Sequence, residues 1–223
     1  MANDFKREEI VEILKRAQRI DKKYELFGTS KHKYKLNPTI SVSFVREVEA
    51  KYGFTLPEDY FRFITEVGDG GAGPDYGIEP FADFLKTVAS SGAERFREAY
   101  RESLANPFEP REMQANEVED FAFNRRAYEQ NPNDFFVYEK LDENALCDTD
   151  GFLVIGTQGC QWDFGLVVTG TRRGSVFVMD NEGAYAYVAG SFSEFYREWL
   201  NSISDTKKLQ EKLDERRRLF ARR

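Results

Sequence analysis

The sequence predicts an α+β fold, on three observations. Amphipathic helical patterns run through the first hundred residues. Four short apolar runs separated by glycine-containing turns follow Gly151. A helix with an aromatic face closes the series at 191–200.

The elements can be justified in order. Residues 5–20 place Ile10, Ile13, Leu14 and Ala17 on one helical face and charges elsewhere. Residues 21–42 read as loop or short strand, broken at Asn37-Pro38. From about Ser43 a second helix aligns Phe44, Val45, Val48 and Tyr52, and Gly53 ends it. Leu56-Pro57-Glu58-Asp59-Tyr60 opens a third. Pro57 suits a first helical turn, and Glu58 and Asp59 favour the positive end of the helix dipole. Tyr60, Phe61, Ile64 and Val67 form its inner face, and the glycine-rich stretch 68–74 stops it. Residues 76–81 read as a short edge strand, because Pro80 cannot donate to a ladder.

Residues 82–104 are expected to be helical. The stretch 105–150 is expected to be a helical insertion, with a helix around 114–130. It is interrupted by Pro107, Pro110 and Pro132, and is too aromatic for a linker (Phe121, Phe123, Tyr128, Phe135, Phe136, Tyr138). The runs 152–155, 164–168, 175–179 and 184–188 are strands joined as a meander. Ser191 and Glu194 make a capping box. Phe192, Phe195, Tyr196, Trp199 and Leu200 follow at helical spacing, so an aromatic face should close over the sheet. A further helix begins near Asp205, with Leu209, Leu213 and Phe220 as anchors.

Composition bounds the function. Twenty Phe, 11 Tyr and 2 Trp supply a large aromatic core, which excludes general disorder. No run approaches the ~20 apolar residues of a membrane helix, and the charged start 1–9 lacks a signal-peptide pattern, so a cytoplasmic protein is expected. Cys147 and Cys160 lie in no CxxC or Cys/His cluster and are expected to be simple thiols. Residues 206–223 carry eight basic and three acidic groups, +5, so the −7 of the whole chain leaves −12 for the rest. Such a body repels phosphate backbones and attracts basic partners. The basic tail lacks interleaved aromatics, so it is expected as a solvated helix or one folded back on the acidic body, with no nucleic-acid partner.

Local motifs argue against most chemistry. Gly68, Gly70 and Gly73 match G-x-G-x-x-G, but a helix precedes them and a strand follows, the reverse of a dinucleotide site, and Asp69 and Asp75 would repel phosphate. Asp148-Thr149-Asp150-Gly151 has Leu146 where a calcium loop needs an acidic residue or Asn, and Thr157 where it needs Glu. His32 is the only histidine. It lies among Lys31, Lys33 and Lys35 and is expected to be solvated, which leaves no His-based zinc site or catalytic triad. No catalytic residue, metal site or cofactor is expected.

Three segments together resemble the SUKH superfamily. The first is Val45–Gly53 followed by Leu56-Pro57-Glu58-Asp59-Tyr60. The second is Gly70-Gly71-Ala72-Gly73-Pro74 with Tyr76-Gly77-Ile78. The third is Leu153-Val154-Ile155-Gly156 and Gly159-Cys160, then Gly174 and the closing 191–200 helix. The resemblance covers roughly 40–200. It implies a single domain at 36–203 with a twisted, mainly antiparallel sheet packed by helices. Residues 1–35 would be a helical N-terminal extension and 204–223 a basic C-terminal helix.

It further implies a non-enzymatic protein-binding module, in bacteria an immunity protein that neutralises a cognate toxin, often a nuclease. The alternative is a regulatory scaffold of the cell-wall-regulator type. An enzyme acting on sugars or nucleotides at the glycine-rich turn ranks last. The acidic loop residues expected to meet a basic toxin are Asp69, Asp75, Glu79, Asp148, Asp150, Asp163, Asp180 and Glu182. Leu56, Pro57, Tyr60, Gly70, Gly71, Gly73, Gly159, Phe192 and Trp199 are expected to serve the fold.

Overall fold

A computed structural model describes residues 5–86, 91–118, 125–137, 150–160, 162–180 and 183–221. Its centre is a six-stranded sheet: β1 (Arg111–Glu112), β2 (Phe135–Val137), β3 (Phe152–Gly159), β4 (Trp162–Val167), β5 (Val176–Met179) and β6 (Ala184–Ala189). The spatial order is β1-β2-β6-β5-β4-β3, with every neighbouring pair antiparallel. The strands of the meander read as unbroken apolar runs because the sheet is covered on both faces. Leu153, Ile155, Phe164, Leu166, Val176 and Val178 enter the main core. The alternating positions Phe152, Val167, Phe177 and Tyr185 join Phe108 and Phe136 in a second cluster. Gly165 makes room there, since a Cβ would stand 2.1 Å from the Phe152 ring.

Helices pack the main core. α1 (Arg7–Ile20) buries Ile10, Leu14 and Ala17. α2 (Thr29–His32) is a single turn. In α3 (Val42–Tyr52), Ser41 Oγ accepts the Phe44 N–H and Gly53 closes the helix at φ 72°. α4 (Glu58–Arg62) passes into a π-type turn at Phe63–Val67, closed by Gly68 N–H donating to Phe63 O. Pro57 stands at the N-cap of α4, one residue before the first turn where it was expected. α5 (Ser91–Ser103) and α6 (Arg125–Gln130) follow. α7 (Phe192–Ser204) lays Phe192, Phe195, Tyr196 and Leu200 into the core. At its start Ser191 Oγ accepts the Glu194 N–H, while Glu194 Oε2 accepts the N–H of Gly190, one residue outside the usual capping box.

Four expectations change. The helix expected over 82–104 is a 3₁₀ turn, Phe81–Leu85, and then α5 from Ser91, with 87–90 outside the described residues. Of the helix expected at 114–130, residues 114–118 are loop and turn, Arg125–Gln130 form α6, and 119–124 lie outside the described residues. The 105–150 stretch also lends β1 and β2 to the sheet, with Phe135 and Val137 buried beside Met113 and Val118. The strand expected at 76–81 shrinks to single rungs at Ile78, because Pro80 ends the pairing.

The tail is α8 (Thr206–Ala221). It folds back: Leu209 and Leu213 are fully buried, it packs on α1 and α7, and Arg217 pairs with Glu25. Asp205 starts it by accepting the N–H groups of Lys207 and Lys208.

Candidate functional site

The glycine-rich turn is a junction of backbone rungs. Gly71 bridges Leu36 on one side and Ile78 on the other, and Ile78 bridges Gly156 of β3. The Ala72 N–H donates to Lys35 O and the Asn37 N–H to Gly70 O. Inside, the Tyr196 hydroxyl donates to Ala72 O at 2.9 Å. Gly71 sits at φ 98°, and a Cβ there would lie 2.4 Å from Lys35 O, so only glycine fits. The turn's backbone groups are thus spent within the fold, unlike those of a phosphate-cradling loop.

Carboxylates gather around this junction. Asp69 Oδ1 accepts the Phe81 N–H at 2.7 Å. Burial pushes its pKa up, the Phe81 N–H opposes this, and nearby Asp83 adds to it. Asp75 turns the chain at φ 48°, and burial raises its pKa too. Glu79 is raised by burial first, lowered by Lys31, and raised again by Asp163 and Asp83. Asp163 lies opposite Thr157 in the β3–β4 pair.

The segment 79–83 forms a ridge between two clefts. One, of about 400 Å³, sets Lys31, Lys33 and Lys35 against Glu79 and Asp83, with Tyr76 alongside. The other, of about 310 Å³, has Lys86, Arg97 and Tyr100 as its polar wall.

The remaining acidic candidates go elsewhere. Asp150 accepts from Asn106 Nδ2 at the opposite end of β3. Asp180 is buried, 3% exposed, and its Oδ1 accepts the Ala184 N–H, so it shapes the β5–β6 turn and presents no surface charge. Asp148 and Glu182 lie outside the described residues. Leu56, Tyr60 and Phe192 are buried. Gly70 and Gly159 have positive φ, and Gly159 lies against the Tyr76 ring. Gly73 lies against Ile78. Trp199 is half-buried, edge-on to His32.

His32 corrects the sequence reading. It is buried, 8% exposed, edge-on to Tyr34 as well as Trp199, and its Nδ1 accepts the Tyr34 N–H at 3.0 Å. Burial lowers its pKa to about 4, against the opposing pull of Asp21, so the ring is neutral at neutral pH. The signal was present in the alternation Lys31-His32-Lys33-Tyr34-Lys35, where every second side chain turns inward. That alternation also marks the lysine wall, which sequence reasoning did not assign to the site.

Two buried carboxylates were missed as well. Asp21 is fully buried and accepts from the Glu25 and Leu26 N–H groups, the Thr29 hydroxyl and the Tyr34 hydroxyl. Glu49 accepts the Leu56 N–H at 2.7 Å while paired with Arg46 at 2.6 Å. Both organise loops that lead to the clefts. Among the described residues no three His, Cys, Asp or Glu side chains come together as a metal site. Cys160 is exposed and free, and Cys147 lies outside the described residues.

Among the described residues no helix is long and apolar enough to cross a membrane. The family model described as SMI1 / KNR4 family (SUKH-1) matches residues 39–198, which take in the glycine-rich junction and the six strands and leave out α1, α2 and α8. No curated protein and no solved structure matches the chain.

Proposed function

The chain belongs to the SMI1/KNR4 (SUKH-1) family, and from that premise we propose that it is a non-enzymatic, cytoplasmic immunity protein that binds and neutralises a cognate toxin with a basic surface, a nuclease domain being the class its charge fits. One observation carries this reading: Asp69, Asp75, Glu79, Asp83 and Asp163 are brought to one end of the sheet by a junction of backbone rungs. Glu79 is half-buried with a raised pKa, so an incoming lysine or arginine gains more from pairing with it than from a fully solvated carboxylate. The −12 balance outside the tail favours the approach of a basic partner to the body of the protein.

Co-expression with the product of the adjacent gene, affinity isolation with mass spectrometry, and a growth assay test the reading. A salt-sensitive complex with a toxic partner and rescue of growth are expected. The double charge reversal Glu79→Lys/Asp163→Lys is expected to weaken the complex by about tenfold or more. The lysine wall facing Glu79 favours a second reading, a regulatory scaffold whose partner carries both signs of charge. A complex with a non-toxic protein that needs Lys31 and Lys33 as much as Glu79, with growth unaffected, would replace the immunity reading by this one.

A further inference from the structure

A second surface of opposite electrostatic character lies on the α8 side of the molecule. Asp21 gathers the 21–29 loop, and Gly28, at φ 71°, brings it hard against the Asp75 backbone. Phe27 is left pointing outward, 49% exposed, with its ring 5.1 Å from Tyr76. α8 is pinned alongside by Leu209, Leu213 and the Arg217–Glu25 pair, and its last turns expose Leu219 (61%) and Phe220 (57%). Loop and helix flank an open apolar groove of about 580 Å³.

The rim of this groove is basic. Lys212 and Arg216 line it, the Arg216 guanidinium lies 5.0 Å from the Phe220 ring, and exposed Lys22 and Lys23 open the same loop. Of the nearby carboxylates, Glu25 and Asp214 are engaged by Arg217, which leaves Glu215 alone on the groove wall against these cations.

We propose that this groove docks an acidic amphipathic helix of a protein partner, with apolar residues at i, i+3 or i+4, and i+7 seated on Phe27, Leu219 and Phe220 and carboxylates meeting Lys212 and Arg216. The mode follows from the walls. A helix and a loop offer no free strand edge, so an extended peptide has no ladder to join, whereas an apolar trough suits one face of a helix. A second copy docking through the same patch would bring two basic rims together, Lys212 and Arg216 of each copy, with only Glu215 of each groove wall to offset them. An anionic membrane would meet the basic rim but also the −12 body beside it. The site is distinct from the carboxylate cleft and does not depend on the toxin reading. The two adjoin through Tyr76, which packs on Phe27 and lines the cleft.

The test is a selection of random 16-residue displayed peptides on the full chain and on the Phe27→Ser/Leu219→Ser variant, whose altered positions are exposed and whose fold is checked by its melting curve. Enriched peptides are expected to be acidic, with apolar residues at helical spacing. A synthetic copy is expected to bind at least tenfold more weakly to the double variant and to Arg216→Glu, and more weakly as salt rises. Absence of groove-dependent enrichment, or enriched peptides without acidic residues, overturns the proposal. So does sedimentation of a dimer that the double variant abolishes, which assigns the groove to a second copy. Groove-dependent binding to phosphatidylserine vesicles overturns it in favour of a membrane.

Discussion

Lowering the pH from 7.5 to 5 protonates His32 readily in the unfolded chain but not in the folded one. The ordinary imidazole pKa is near 6.5, and burial between Tyr34 and Trp199 holds the folded value at about 4. A pKa depressed on folding contributes stability that is complete above about 6.5 and is lost as the pH falls towards 4. The full loss is about 3.4 kcal/mol, and at pH 5 about 2 kcal/mol of it has gone. For a chain of this size that corresponds to about 4–8 °C in melting temperature. Half-buried Asp69, Asp75 and Glu79 act in the opposite sense, since their raised pKa values add stability on acidification.

A difference measurement isolates the histidine. His32→Asn keeps an acceptor for the Tyr34 N–H and removes the titration. Urea unfolding of both proteins from pH 7.5 to 5 should show the wild type losing about 2 kcal/mol more than the variant. Because the chain has one histidine, its imidazole resonances report the pKa directly. A flat difference over this range, or a resonance titrating near 6.5, would refute the assignment of His32 as a neutral core residue.

Three further substitutions probe the junction and its surroundings. Gly71→Ala should cost about 3 kcal/mol or more, because a positive φ and a backbone oxygen 2.4 Å from the new Cβ act together. Gly174→Ala, at φ 100° with its nearest neighbour 4.0 Å away, should cost only about 1 kcal/mol in the same denaturation assay. Glu49→Ala should lose about 3 kcal/mol by stranding the Leu56 N–H, and Glu49→Gln about 1 kcal/mol; equal losses would show that the carboxylate charge matters and the acceptor does not. Tyr100→Phe should lose about 1–3 kcal/mol and raise concentration-dependent light scattering, since its hydroxyl donates to Phe152 O and accepts the Val154 N–H on the edge of β3.

What the sequence disclosed follows the range of the forces involved. α1, α3 and α7 were readable because their apolar spacing is local and Gly53 and Ser191 mark ends, although the start of α3 was placed near Ser43 and its cap is Ser41. The meander strands were readable because glycines bound each apolar run. β1 and β2 were not: two and three residues become strands only by pairing next to β6, whose sequence lies far along the chain. The same distance hid His32, whose burial depends on Trp199 of α7.

Carboxylates were the least readable feature of the site. Asp69, Asp75, Glu79 and Asp163 do assemble at one end. Asp180 and the overlooked Asp21 and Glu49 are buried and hold loop N–H groups, as Asp69 also does for Phe81, a role fixed by donors that no local pattern reveals.

The outer edge of β3 is sealed along its length. Glu79 N–H donates to Ile155 O, Tyr76 N–H reaches Thr157 O, and the Tyr100 hydroxyl occupies Phe152 O and Val154 N–H. A visiting chain therefore finds no main-chain rungs to borrow here. Whatever is recognised at this end must be recognised by side chains standing on turns whose backbones are already committed. Lysine, glutamate and tyrosine at those positions can be exchanged without breaking a rung, whereas Asp69 also holds the Phe81 N–H. Such an arrangement would separate partner preference from folding, so that recognition could change one surface residue at a time while the sheet beneath stays the same.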